Sequence, residues 1–510
     1  DVELHYTQGL KYGQRQGAGT VVDTYSNTTL ANASSLSLPT SCAVDASPFS
    51  SWNISSAFRY GFTPLKERAA ALDSHLCRLS SEIVSNKLPS QAAVEPIGVP
   101  QQESAYCIGR ICNEAHDGKI NAMSILLEGS RHFSSGKRVS LKLDKDVSYS
   151  LFPGQIVAAH GTNADGRTLV ATKIIEGSEA PKKKSPVTAF SQSSLNVIVA
   201  SGPFTTSDNL DYEPFSDLLL HVQVAKPDVV ILAGPFVDIR HPQVQNNEVQ
   251  LEMEDGSFAN VTFAQMFQQR ISALMEDLYV QTYEKDGAEL TTQFILIPSL
   301  DDAIANHVYP QPPLIERKGE EVIIIEGIEV NTLGLRHVES AGRDGETKKK
   351  RIHCLSNPCT FQINEVVFGI TSNDVMCHIS SDEVHDAAIE NRLLRISQHI
   401  LNQQSYYPLF PPPISKEIRA NLDLGKMDHW KLPCTPDILI LPSKLVPFAK
   451  STASSCLVVN PGLLSKGTTG GTYASIQIHP MKSECIDQLG EQGEIEHGVQ
   501  ERTNVSIKKI

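Results

Sequence analysis

Residues 195–238, LNVIVASGPFTTSDNLDYEPFSDLLLHVQVAKPDVVILAGPFVD, constrain the fold of this chain more than any other stretch. Two short apolar runs, 197–200 and 229–233, are rich in β-branched residues, and a Gly-Pro pair closely follows each. Runs of this kind, bounded by turn residues, read as fully buried strands. Between them, SDLLLHVQVA carries Leu218, Leu219, Val222 and Ala225 at helical spacing. Strand, helix and strand at this length form a βαβ crossover, and therefore a parallel pair in a layered α/β domain. In such sheets the residues just past the strand C-termini line the site crevice. Here 201–206 and 234–238 stand at that place, and they offer chiefly Gly, Pro, Phe, Val and one Asp, which is poor material for catalysis.

The 510 residues leave room for roughly three domains. A charged fraction of 20% beside 40% hydrophobic residues fits a globular protein. No apolar run approaches the roughly 18–20 residues of a membrane span, so no membrane partner is expected. No signal segment follows Asp1, and the start reads as that of a fragment. The formal net charge of −14 argues against a broad nonspecific grip on nucleic acid, while leaving room for a local basic groove. Ten cysteines include no C-x-x-C pair, and they read as free thiols of a reducing compartment. Five N-x-S/T sequons read as chance matches.

Taken in order, residues 1–60 are rich in Ser, Thr, Asn and Gly and read as a flexible or extended segment. Thr63-Pro64 then opens a helix within 61–90, with Thr63 as cap and Pro64 at the first helical position. Its stripe of Leu65, Leu72, Leu76, Leu79 and Ile83 needs a surface to bury it. Residues 91–178 hold five short strand patterns separated by turn pairs, which predicts a small closed barrel of OB type. Such barrels stack single-stranded bases on exposed aromatics beside basic groups. Phe133, Tyr149 and Phe152 are the candidates, near Arg131, Lys137 and Arg138, although Tyr149 and Phe152 fit better as packing at a barrel end. Residues 179–194, with the Lys182, Lys183 and Lys184 run, read as a linker. The second large domain spans 195–510, with an insertion at 316–353, a polar and acidic tail at 481–500, and SIKKI at the end as an edge strand.

This order of elements resembles the calcineurin-like metallophosphoesterase fold, whose motifs are D-x-H, G-D-x-x-D, G-N-H-D/E and G-H-x-H. A metal pair needs O and N ligands past the strand ends, with negative charge between the ions. The resemblance carries the first motif onto Gly202-Pro203-Phe204 and the second onto Gly234-Pro235-Phe236-Val237-Asp238. The third falls on Pro298-Ser299-Leu300-Asp301, and the last on Pro442-Ser443-Lys444-Leu445. Thr371 and Ser372 stand where a His ligand belongs, and Asn460-Pro461-Gly462 resembles the N-P-G-S turn. The implied fold is therefore α/β and β: an OB-type barrel plus an inactive phosphoesterase domain, a layered β-sandwich flanked by helices. The implied vestigial site is Gly202, Phe204, Pro235, Asp238, Ser299, Leu300, Asp301, Ser443, Leu445 and Asn460, with no catalytic residue, no metal and no cofactor. His241 and His307, the nearest histidines, read as capping or surface residues.

The segments GPFTTSDNLDYEPFSDLL, KPDVVILAGPFVDIRHPQV, HVYPQPP, SYYPLFPP, TPDILILPSKL and VVNPGLLSKGTTGGTYA together resemble the B-subunit family of DNA polymerase alpha. LEGSRHFSSG and YSLFPGQIVAAHGTNADGRTLVATKIIEG resemble that family's OB domain. The likeness covers roughly 61–480 and leaves out 316–353 and 481–500. It implies a nuclear, non-catalytic scaffold in DNA replication that holds the zinc-bearing C-terminal domain of the polymerase catalytic subunit. Primase subunits are implied as partners through the complex, and DNA mostly indirectly. Two other readings compete with it: an active metallophosphoesterase or nuclease, and a stand-alone single-strand-binding OB protein.

Overall fold

The computed structural model describes the chain except for residues 1–10, 32–41, 115–117, 253–255, 315–322, 326–327, 331–332, 336–338, 341–348, 387–390, 414–419 and 483–492. Two compact units result. One comprises Asp1–Phe58, Lys183–Asp374 and Pro436–Ile510, and the other Arg59–Lys182 and Val375–Thr435.

The first unit is a sandwich of two sheets. Its seven-stranded sheet runs, in spatial order, Val21–Asn27, Thr503–Lys509, Thr472–Ile478, Leu195–Ser201, Val229–Ala233, Gln293–Ile297 and Ile352–Cys354. The crossover predicted from 195–238 is present: Val197 lies opposite Val229 in a parallel pair, with Glu213–Ala225 as its helix. The six-stranded sheet runs Val44–Asp45, Cys359–Ile363, Val366–Ile370, Ile438–Ile440, Leu457–Asn460 and Phe448–Ser451. Alternation along each strand explains why the runs are apolar at every position. Val197, Val199, Ile231 and Ile295 enter the core between the sheets with Phe361, Phe368, Ile438 and Val459. Ile198, Ala200, Val230 and Leu232 face a second core with Phe215, Leu218, Met266 and Met275 of the helical layer. A strand covered on both faces has no polar side to show. Fully burying each large apolar side chain contributes about 1.5–3 kcal/mol.

The structure bears on several of these expectations. The Ser- and Thr-rich N-terminal stretch supplies Val21–Asn27 as the outermost strand of the large sheet. Its side chains alternate only between exposed and half-buried, so the sequence carries no apolar signal for it. The C-terminal SIKKI is not an edge strand, because Thr503–Lys509 pairs on both sides, with Val21–Asn27 and Thr472–Ile478. Most of the insertion at 316–353 and half of the 481–500 tail lie outside the described residues. What is described of the insertion includes two short ribbons and Ile352–Cys354, which joins the large sheet.

The second unit contains the closed barrel, formed by Gln101–Asn113, Ile125–Glu128, Arg138–Leu143, Thr168–Ile175 and Ile156–Asn163 in spatial order. The helix Leu65–Lys87 lays Leu76, Leu79 and Ile83 on Ile156 and Ala158 of one barrel strand. Pro64 precedes this helix, and the Thr63 hydroxyl donates to Asp423 (3.1 Å) instead of capping it. Leu65, 79% exposed, drops out of the buried stripe. Residues 375–435 group with the barrel, not with the sandwich whose sequence surrounds them. The reason is packing: Gln403, at the end of the helix Arg392–Asn402, bonds both the N–H and the carbonyl of Ile156. No helix among the described residues is long and apolar enough to cross a membrane.

Candidate functional site

The loops that follow the parallel strands of the sandwich bring most of the sequence-nominated residues into a few hydrogen-bonded groups. Phe204 and Phe236 are buried and stack with ring centroids 5.2 Å apart. Phe215 meets Phe204 edge-on at 5.4 Å, and Phe267 meets Phe236 edge-on at 5.5 Å. Both glycines are required by close approach. A Cβ on Gly202 would strike the Pro235 carbonyl, and one on Gly234 would strike the Asp302 carboxylate.

Asp302, which the sequence reading passed over for its neighbour Asp301, is the carboxylate that organises these loops. It is fully buried and accepts from the N–H groups of Phe236, Val237 (2.9 Å) and Ser299 (3.1 Å), joining the loop after Val229–Ala233 to the loop after Gln293–Ile297. Burial pushes its pKa up to about 8, against those three bonds, and the charge of Asp238 adds to the rise. The sequence shows only two adjacent carboxylates, Asp301 and Asp302, with no turn motif to tell their roles apart. Asp238 is half-buried and accepts from Arg240 N–H (2.8 Å); burial raises its pKa to about 6. Asp301 pairs with the Arg240 guanidinium at 2.9 Å. Leu300 and Pro235 are half-buried, less enclosed than Phe204 and Phe236.

Amides and hydroxyls dominate the remaining strand ends. Asn357 donates to Gln311 Oε1 (2.8 Å) and accepts from the Thr371 hydroxyl (3.1 Å) and Ser372 N–H (3.1 Å). Gln311 donates to the Ser299 carbonyl (2.9 Å). Buried Asn460 accepts from Ser443 N–H (3.0 Å) and Gly462 N–H (2.9 Å) and donates to the carbonyls of Leu445 (3.3 Å) and Val446 (3.2 Å). Ser443 in turn donates to Asp374 (2.6 Å).

Neither histidine is set up as a ligand. His241 Nε2–H donates to the carbonyls of Thr206 (3.0 Å) and Asn209 (3.1 Å), and Nδ1 accepts from Gln243 N–H (3.2 Å), so both ring nitrogens are used. Burial lowers its pKa despite those carbonyl contacts. His307 is exposed and donates from Nδ1 to the Leu300 carbonyl (2.9 Å). Among the described residues no group of three or more His, Cys, Asp and Glu side chains is placed to hold a metal ion. The donors at the strand ends are amides, hydroxyls and scattered carboxylates, a set that does not fit a metal pair.

The barrel unit holds a charged constellation that the sequence did not reveal. Arg395 grips Glu383 with Nε (2.8 Å) and Nη2 (2.9 Å). Ser150 Oγ donates to the same carboxylate and lies 2.7 Å from His399 Nε2. Burial pushes the Glu383 carboxyl upward, but the bonds from Arg395, His399 and Ser150 outweigh it and hold its pKa well below the usual range. A serine, a histidine and a glutamate together suggest a nucleophile relay. In such a relay, however, the hydroxyl and the carboxylate sit on opposite ring nitrogens. Here Ser150 and Glu383 both sit at Nε2, the Glu176 carboxylate on the Nδ1 side stands 3.6 Å away, beyond hydrogen-bond reach, and the ring is fully buried. Of the proposed base stackers, Phe152 is fully buried and meets His399 edge-on at 5.1 Å, while Tyr149 packs half-buried against the barrel core. Phe133 is half exposed, and Arg138 is paired with Glu128 at 2.9 Å.

Comparison with known proteins agrees with this geometry. The family of DNA polymerase alpha/epsilon B subunits matches residues 197–450, and the family of DNA polymerase alpha B-subunit OB domains matches residues 70–177. Both matches fall within one class, the B subunits of DNA polymerases alpha and epsilon. Among curated relatives, the DNA polymerase alpha B subunit of Mus musculus is 32% identical across 96% of this chain and 72% of its own length. That of Schizosaccharomyces pombe is 31% identical across 88% and 70%, and that of Saccharomyces cerevisiae 29% across 81% and 59%. The chain belongs to the B-subunit family of DNA polymerase alpha.

Proposed function

We propose that this chain is a non-catalytic scaffold subunit of the nuclear DNA polymerase alpha–primase complex. It holds the C-terminal, zinc-bearing domain of the catalytic subunit, meets primase through the complex, and touches DNA mostly indirectly. The observation that carries this reading is the filling of the sandwich strand ends by the Phe204–Phe236 stack and by the Asn357 and Asn460 networks, where a phosphoesterase keeps its ligands. Residues packed to this density are suited to holding a shape, and a preformed surface loses less freedom when a partner binds. Co-expression of the chain with the C-terminal domain of the polymerase catalytic subunit tests the proposal. A complex that co-elutes at equal stoichiometry is expected. Separate elution of two folded proteins would show the reading to be wrong.

A further inference from the structure

The Lys-rich stretch read as a linker is fastened to the sandwich by a buried polar relay. Lys184–Pro186 pairs antiparallel with Glu494–Glu496 in a two-stranded ribbon that belongs to neither main sheet. Lys184 and Pro186 are exposed on either side, while Ser185 between them is 5% exposed with its hydroxyl turned inward. That hydroxyl lies 2.9 Å from His497 Nε2, and His497 Nδ1–H donates to Asp437 (2.5 Å). Asp437 also accepts from Val367 N–H (2.9 Å), which ties the relay to the six-stranded sheet. Phe190 packs on Met481 and Ile495 and stands edge-on to His497, closing the relay from above.

We propose that Ser185 is a phosphorylation site for a proline-directed serine/threonine kinase, and that phosphate on it releases the ribbon 184–186/494–496 from the sandwich. Kinases of this class read a serine followed by proline in extended backbone, and Lys184-Ser185-Pro186 supplies both sequence and conformation. With three paired residues on each side and no place in either main sheet, the ribbon depends on this relay and on Phe190 for its hold, and it is expected to open locally more often than the sheets beside it. Opening turns the hydroxyl outward. The kinase then transfers the γ-phosphoryl group of ATP: the Ser185 Oγ–P bond forms, the bond to the leaving ADP oxygen breaks, and the hydroxyl proton passes to the kinase's base. Phosphoserine carries a charge of about −1.5 to −2, which cannot return to a slot already holding the Asp437 carboxylate without repulsion and desolvation.

The test uses the full chain with a proline-directed kinase and ATP, mapping phosphate by mass spectrometry and following amide exchange before and after. We expect phosphate on Ser185, and exchange across 184–186 and 494–502 faster by roughly tenfold or more, with the sandwich strands unchanged. His497→Ala, which loosens the relay, speeds the labelling; Ile495→Ala loosens the same ribbon if that variant does not fold. Absence of phosphate from Ser185 in the native chain and in the loosened variant overturns the site. Phosphate on Ser185 with ribbon exchange unchanged overturns the release.

Discussion

Asp302 in the sandwich and Glu383 in the barrel unit are both buried carboxylates held by several donors, yet the chain treats them in opposite ways. Asp302 meets backbone N–H groups at the junction of two loops, and burial prevails, lifting its pKa to about 8. Glu383 meets a guanidinium through two bonds, and the donors prevail, holding its pKa low. A full opposite charge at hydrogen-bond distance offsets desolvation, whereas peptide dipoles offset only part of it. The two places also differ in what surrounds the carboxylate. Beside Asp302 lie stacked rings and backbone amides, and around Glu383 the charges are satisfied internally.

The largest effects are expected where either arrangement is broken outright. Arg395→Ala leaves Glu383 buried without its guanidinium and is expected to cost about 3–5 kcal/mol in urea unfolding. Replacing both, Glu383→Leu with Arg395→Met, is expected to recover most of that loss. Phe204→Ala removes the centre of the aromatic stack and is expected to cost about 3–5 kcal/mol through the cavity it leaves. A loss below about 1 kcal/mol would mean that the strand ends are loosely packed. Asn460→Ala abandons two N–H donors and two carbonyls and is expected to cost about 1–3 kcal/mol.

The pH dependence sharpens the same comparison, with opposite signs. Asp238 and Asp302 titrate higher folded than unfolded, so between about pH 4 and 8 the native state keeps protons that the unfolded chain has released. Their contribution is fully present below the unfolded pKa and is lost as pH rises through about 6 for Asp238 and about 8 for Asp302. Glu383 has a depressed folded pKa, so its contribution is present above the unfolded value and lost as pH falls toward the folded one. Asp238→Asn keeps the bond from Arg240 N–H and is expected to flatten the decline between pH 4 and 7 by on the order of 1–2 kcal/mol. Urea midpoints measured across that range check it; an unchanged slope would place the titration elsewhere. The smallest effect is expected at Phe133→Ala, within about 0.5 kcal/mol of native stability, because the ring is half exposed.

Much of the fold was legible because burial on both faces leaves an unbroken apolar run. Residues 197–200 and 229–233 announced themselves in this way, as did the five barrel strands between their turn pairs. Val21–Asn27 was not legible, since an edge strand with exposed and half-buried faces looks like a polar loop. The membership of 375–435 was not legible either, because sequence reports that a helix has an apolar face but not which core receives it. At the strand ends, motif positions nominated Phe204, Asp238, Asn460 and their neighbours. The role of Asp302 was not legible, because it depends on three backbone N–H groups brought together from two loops.

The proposed scaffold role rests on sandwich strand ends that are packed and amide-filled, and it requires no metal-dependent chemistry there. Metal analysis of the purified chain, run beside a phosphodiesterase assay on the chain and on Asp238→Asn, tests it most directly. No stoichiometric divalent metal is expected, and no hydrolysis that Asp238→Asn alters. Two tightly held ions per chain, with hydrolysis abolished by Asp238→Asn, would contradict it.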